Sequence, residues 1–334
     1  PLIGSADQGI TVEPASGLEP QWYLHRTAVP DAWALGARGQ GVVIADVDWG
    51  YRISHQDLAG RLELEHAFNA VDGSQAVSQG AFTSHGTAVM GIAGAAADGR
   101  GMAGYAPEAA LWPIQANSPD QNIVAPDHWA NAVEHVRCAD SQSRRKVIVL
   151  EVQTGKPWLG NYEQMPSVHA AIRRAIADNV VVCVAAGNGN RAADLDDNGR
   201  PIEPTGSILV GATAWHPTEN HRARFSNWGS RIVVSAPGDD LHDLTCAATG
   251  DDAYRNGFGG TSGATPKVAG VAALMLSVNP HLTHDDVREI LRGTGAEIAP
   301  DPMPERRIGV FLDAEAAVAE ALRRAGIDAP GGGV

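Results

Sequence analysis

The stretch Gly259-Gly260-Thr261-Ser262-Gly263-Ala264-Thr265-Pro266 constrains this chain more than any other. After it, Val268, Val271, Ala272 and Met275 recur at i, i+3, i+4 and i+7, the spacing of an amphipathic helix packed on a core. Proline is tolerated in a first turn, where its missing N–H has no partner to lose. Ser262 is therefore predicted at, or just before, a helix N-terminus. Free backbone N–H groups and the positive end of the helix dipole meet there. Such a place suits a hydroxyl whose reaction leaves a negative oxygen. A Thr-Ser pair before a helix is ordinarily a cap, so the stretch decides nothing by itself.

A reactive serine needs a base, and the base needs an orienting acid. His85-Gly86-Thr87 opens a second small-residue helix, expected over Ala88–Ala97. Asp48 ends the apolar run Val42-Val43-Ile44-Ala45 and precedes Trp49-Gly50. Asn188 closes Ala185-Ala186-Gly187-Asn188 at the end of another buried strand. Polar residues at strand ends and helix starts collect on one rim of an α/β sheet. Asp46 stands two residues before Asp48 and so faces the same side of the strand. It competes for the role of acid, and its bland reading is a buried carboxylate held by backbone N–H groups or an arginine.

In the order Asp, His, Asn, Ser, these segments resemble those of the subtilisin-like serine peptidases. Gly39 and Gly41 before Asp48, and Gly50 and His55-Gln56-Asp57-Leu58 after it, keep the family spacing without a gap, which favours Asp48 over Asp46. Gly104-Tyr105-Ala106-Pro107, Arg224-Phe225-Ser226-Asn227-Trp228-Gly229 and Ala236-Pro237-Gly238 carry the likeness further, over roughly residues 20 to 320. The resemblance implies an α/β fold with a mostly parallel central sheet and helices on both faces. It implies an endopeptidase working through a Ser262 acyl-enzyme. His85 is then the general base and acid, Asp48 its orienting acid, and Asn188 an oxyanion-hole donor. A peptide ligase or macrocyclase on the same fold and an inert binding module are the alternatives. The first lacks an evident lid insertion, and the second is disfavoured by the intact set of residue types.

Departures from the family bear on specificity. Ala88 stands where relatives have a second histidine, and Gly263 where many have methionine. Ser-Leu-Gly-Gly beside the primary pocket becomes Leu150-Glu151-Val152-Gln153-Thr154. Those residues, with Gly187 opposite and Gly199 near the base, are the expected substrate-binding wall. Glu151 and Gln153 suggest a preference for basic or long polar side chains, against a generically apolar pocket. Asp194-Leu195-Asp196-Asp197-Asn198-Gly199 opens like a calcium loop, but Thr205 stands at position twelve in place of glutamate. It reads first as a solvated loop, with a basic-residue selector or an ion site as the alternatives. From the resemblance, Asp57 and Asp98 are expected ligands of a structural calcium ion; catalysis itself needs no cofactor.

Composition agrees with one large α/β domain. The 334 residues are 44% hydrophobic, with 38 glycines and 20 prolines for tight turns. The net charge of −14 argues against nucleic-acid binding, which leaves a basic footprint. No apolar run is long enough for a membrane span. Three cysteines cannot all pair with one another. Expected partners are a protein or peptide substrate and a propeptide or inhibitor, on a monomer. With no leader at Pro1 the expected location is secreted or periplasmic, after leader removal, with the cytoplasm the alternative.

Along the chain, residues 1–20 read as a strap or tail, 21–325 as a single domain and 326–334 as a flexible tail. Strands are expected at Val42–Val47, Leu111–Ile114, Val147–Val152, Val180–Ala185, Ser207–Ala212 and Ile232–Ser235. Helices are expected at Pro30–Leu35, Asp127–Val136 and Ser167–Ile176, the last capped by Ser167, with Thr283 and Asp313 starting two more. Arg144-Arg145-Lys146 reads as a solvated basic turn. Alternating strands and helices argue for a parallel sheet.

Overall fold

The computed structural model describes residues 21–78, 83–117, 125–151, 160–238 and 243–327. Residues 1–20, Val152, Gln153 and all but the first two residues of the C-terminal tail lie outside them. Helices are Trp22–Arg26 (α1), Val29–Ala34 (α2), Gln56–Ala59 (α3), Thr83–Gly94 (α4), Pro126–Cys138 (α5), Pro166–Ala177 (α6), Gly260–Val278 (α7), His284–Thr294 (α8) and Ala314–Arg324 (α9). Strands are Val42–Asp48 (β1), Phe68–Asn69 (β2), Ala110–Gln115 (β3), Arg145–Leu150 (β4), Val181–Ala185 (β5), Ile208–Ala214 (β6), His221–Arg222 (β7), Ile232–Pro237 (β8), Thr245–Cys246 (β9), Tyr254–Arg255 (β10) and Val310–Phe311 (β11).

The main sheet runs β11-β8-β6-β5-β4-β1-β3-β2, with β7 attached to β6. Its pairings are parallel except β6 with β7. Parallel strands carry helices on both faces, so their sequences are continuously apolar and not alternating. Val147-Ile148-Val149-Leu150 and Val181–Ala185 are wholly buried for this reason.

Side chains still alternate between the two faces. Val42 and Ile44 of β1 and Val147 and Val149 of β4 join the core under α4 and α7. Val43, Ala45 and Val47, with Ile148 and Leu150, join the opposite core under α5 and α6. The same alternation carries Asp46 and Asp48, and Glu151 just past β4, to the α4/α7 face. On the other face, Val168 and Ile172 of α6 are fully buried, each worth roughly 1.5–3 kcal/mol.

Three local expectations are corrected. Lys146 is no solvated turn: Arg145 and Lys146 begin β4, and the Lys146 ammonium donates to the carbonyls of Val136 (2.8 Å), Arg137 (2.7 Å) and Ala139 (3.0 Å). It thus closes the negative C-terminal end of α5. Helix α6 starts with Pro166, with no side-chain cap from Ser167. Pro266 lies inside α7 and not in its first turn, so it has no N–H to offer the Ser262 carbonyl four residues earlier. Thr283 does form a capping box with Asp286, and Asp313 caps α9 through the Ala316 N–H. No helix of the described residues is long and apolar enough to cross a membrane.

Candidate active site

Asp48 ends β1, and His85 lies in the first turn of α4. The His85 Nδ1 to Asp48 Oδ2 distance is 2.6 Å, and the Trp49 N–H donates to Asp48 Oδ1 at 2.5 Å. Of the two acids on the strand, it is Asp48 that meets the imidazole. The approach depends on Gly86: a Cβ there would lie 2.6 Å from the Gly50 carbonyl and 2.6 Å from the Tyr51 ring. Trp49 and Phe258 contact the imidazole edge-on, with centroids 4.7 and 5.2 Å away. These rings flank the imidazole and restrict its tilt.

Ser262 is the third residue of α7 and is partly buried. The segment before it is bound to Asn188. The Asn188 Oδ1 accepts from the Thr261 N–H at 2.8 Å and from the Thr261 hydroxyl at 3.0 Å. Gly260 has φ +76°, and a Cβ there would meet the Asn188 amide at 3.0 Å. Only glycine reaches that conformation at no steric cost. The loop carrying Asn188 is held from behind by Asn227. Its Nδ2 donates to the Ala186 carbonyl at 2.7 Å, and its Oδ1 accepts from the N–H groups of Gly189 and Arg191 at 3.0 Å each. With Oδ1 directed to Thr261, the Asn188 amide presents its nitrogen as the donor end.

Residues 39–310 match the Subtilase family. The chain belongs to the subtilase family. An intracellular serine protease of Paenibacillus polymyxa is 32% identical over 247 residues, covering 74% of this chain and 69% of that protein. Subtilisin E of Bacillus subtilis (strain 168) is 29% identical over 271 residues, covering 81% of this chain and 65% of that protein. The chain thus spans about two thirds of these relatives' length. A solved structure of a protease from Pseudoalteromonas arctica PAMC 21717 superposes with TM-score 0.69 at 25% identity, covering 90% of this chain and 97% of that one. Sequence and fold together make this subtilase a serine peptidase of the subtilisin type.

Of the substrate wall expected for this subtilase, Leu150, Glu151, Gly187 and Gly199 lie among the described residues, and Val152 and Gln153 outside them. Leu150 points into the α5/α6 core, on the far side of the sheet from His85. Glu151 is 4% exposed and turned to the Asp48–His85 side, so it is not an open pocket wall. Gly199 sits in an exposed turn, whereas Gly187 is buried beside Asn188 and its N–H donates to the Thr261 hydroxyl at 3.2 Å. The acidic loop is occupied by its own surroundings. Asp194 accepts from the backbone of Ser230 and Arg231, and Asp196 from the backbone of Asn198 and Arg200. Asp197 pairs with Arg191 at 2.9 Å. The basic-residue preference drawn from these acids loses its support.

Asp57 and Asp98, the expected calcium ligands, both have internal partners in this structure. Calcium takes six to eight oxygen ligands. Asp57 Oδ2 instead accepts the Met102 N–H at 3.0 Å and the Tyr254 hydroxyl at 2.8 Å. Burial pushes the Asp57 carboxyl above its usual range, against those bonds. Asp98 turns to Arg100, bonding its guanidinium at 3.0 Å and its N–H at 3.1 Å.

Sequence reasoning missed Phe258 and Trp49 as neighbours of His85, because ring contacts across 173 and 36 residues have no local signature. It also missed what Asp46 is. Neither a backbone N–H nor an arginine meets its carboxyl, and the neighbouring Tyr51 hydroxyl donates to the Asp46 backbone carbonyl at 2.7 Å, leaving the carboxyl oxygens without a well-formed hydrogen bond among the described residues. Burial first, and the charge of Asp48 second, hold it well above the ordinary carboxyl range.

Proposed function

We propose that this subtilase is a serine endopeptidase that cleaves peptide bonds through an acyl-enzyme on Ser262. The observation that carries the reading is the 2.6 Å contact between His85 and Asp48, in a chain with the family's serine segment at the head of α7. His85 takes the Ser262 proton through Nε2 as the hydroxyl attacks the scissile carbonyl, then returns it to the leaving amine. Asp48 accepts from Nδ1, fixes the tautomer and stabilises the imidazolium. The carbonyl oxygen becomes an anion and takes hydrogen bonds from the Asn188 Nδ2 and the Ser262 N–H. Water then attacks the acyl-enzyme by the same proton route. The resources on which this rests are the chain's own side chains.

Hydrolysis of an unfolded protein substrate by the full chain, followed by mass analysis of the products, tests it. The expected products are new amine and carboxyl termini with one water added per cut, and Ser262→Ala abolishes them while its melting curve stays near that of the parent. Joined peptides in place of hydrolysed ones contradict the hydrolytic reading. Undiminished cleavage by Ser262→Ala contradicts the nucleophile.

A further inference from the structure

Three carboxyls share one patch of the interior beside the catalytic pair. Asp46 is 0% exposed and Glu151 4%, and among the described residues no oxygen of either has a hydrogen-bond partner. Asp48 is different, since it takes hydrogen bonds from both Trp49 and His85. A carboxylate oxygen of Asp48, one of Glu151 and a ring nitrogen of His85 all lie within 4.8 Å of one another.

An ionised carboxylate buried without compensation is prohibitively unstable, and like charges in contact do not all ionise. The charge rests where the hydrogen bonds are, on Asp48, and the two unpartnered carboxyls hold protons. Burial first, then the charges of Asp46 and Asp48, push the Glu151 carboxyl far upward. Only Glu151, of these two, also falls in the group with His85.

We propose that Glu151 is a positioning residue of the catalytic pair, sharing one titrating proton with His85 around the fixed charge of Asp48. The proposal rests on the reading of Asp48 and His85 given above. Two forms with equal proton count are in play: neutral imidazole with carboxylic acid, and imidazolium with carboxylate. They differ by one proton moved between Glu151 and His85. Only the first contains the free base. A side chain that cannot ionise at position 151 removes the second form, so the coupling is readable in the pH dependence of the serine's reactivity. Among the described residues, the ionisable groups facing Glu151 are Asp46 and Asp48 from β1 and His85 from α4. Tyr51, bonded to the Asp46 carbonyl at 2.7 Å, stays neutral because burial raises its phenol.

The test compares the pH dependence of fluorophosphonate labelling in the full chain and in Glu151→Gln, which keeps the size but cannot ionise. The acid limb of the rate is expected to move down by roughly half a pH unit or more in the variant. An unchanged limb in a folded Glu151→Gln overturns the proposal. Should that variant fail to fold, carbon NMR of the full-length Ser262→Ala protein, labelled at glutamate Cδ and the histidine rings, decides. A Glu151 carboxyl that titrates together with His85 supports the coupling; one that titrates independently of His85 at any pH, or stays protonated throughout, overturns it. Absence of labelling at Ser262 in the parent protein would instead count against the nucleophile, and the NMR arm would still read the Glu151–His85 coupling.

Discussion

Thr261 holds Asn188 twice through one amide oxygen, at 2.8 Å from its N–H and 3.0 Å from its hydroxyl. On the proposed mechanism, the residue before the nucleophile therefore orients the oxyanion donor. Thr261→Val keeps the shape and the N–H bond but removes the hydroxyl. The bond to Asn188 and the acceptor of the Gly187 N–H are both lost, and at about 0.5–1.5 kcal/mol per neutral hydrogen bond kcat is expected to fall roughly 5- to 150-fold with KM little changed. Thr261→Ser restores it. Steady-state kinetics on one peptide substrate check this, and a loss confined to KM would mean that Thr261 acts on substrate binding.

The two acids of β1 separate cleanly by substitution. Asp48→Asn puts an amide where His85 needs a carboxylate and should lower kcat by roughly four orders of magnitude. Asp46→Asn replaces a carboxyl that burial drives toward its neutral form by an amide of the same shape. It should leave kcat within about an order of magnitude and act mainly on the melting temperature. The opposite ranking, in folded variants, would transfer the orienting role to Asp46.

Much of this division was legible in the chain. The spacing from Gly41 through Asp48 to His55 fixed which acid the family pattern selects, and apolar runs between turn residues announced the parallel strands. What the chain hid was long-range and three-dimensional. Glu151 reads as a pocket residue in a linear comparison, because the family places a specificity strand there. The strand period turns it inward to the face of Asp46 and Asp48, and only the β1–β4 register puts those acids side by side. Lys146 was read as part of a basic turn because its three carbonyl partners at the end of α5 lie seven to ten residues back. The acidic loop looked like a ligand site because sequence does not reveal that Arg191 and the backbone of residues 198 and 230 already occupy its carboxylates.

Glu163 should shape stability in acid. Burial alone would raise its carboxyl, but the Arg231 guanidinium and hydrogen bonds from Ser207, Thr205 and Asn161 outweigh that and hold it below the usual range. A depressed carboxyl contributes stability that is complete above the unfolded value, near 4.3, and is lost as pH falls through the lower folded value. Glu163→Gln should therefore be clearly less stable than the parent at neutral pH, with the gap narrowing below about pH 4. Urea midpoints across that range measure it; a gap independent of pH would mean that the loss is one of packing alone.

Under the serine helix, Lys267 is fully buried. Its ammonium pairs with the equally buried Asp243, donates to the Pro237 carbonyl at 2.7 Å and lies 4.5 Å from the centre of the Tyr23 ring. Tyr23 in turn donates to the Leu244 carbonyl at 2.8 Å. Lys267→Met strands a buried carboxylate and should cost about 3–5 kcal/mol. Replacing Asp243 by leucine in the same chain should recover much of that loss. Denaturant unfolding of the two variants checks both statements, and a single variant within 1 kcal/mol of the parent would show the pair to be dispensable.

The central claim is that Ser262 is the nucleophile activated by His85. Incubating the full chain with a fluorophosphonate and mapping the adduct by peptide mass spectrometry tests it most directly. The account predicts one phosphonylated residue, Ser262, with labelling abolished in Ser262→Ala and slowed by orders of magnitude in His85→Ala. A folded protein that takes up no label, or carries it on another residue, would contradict the account.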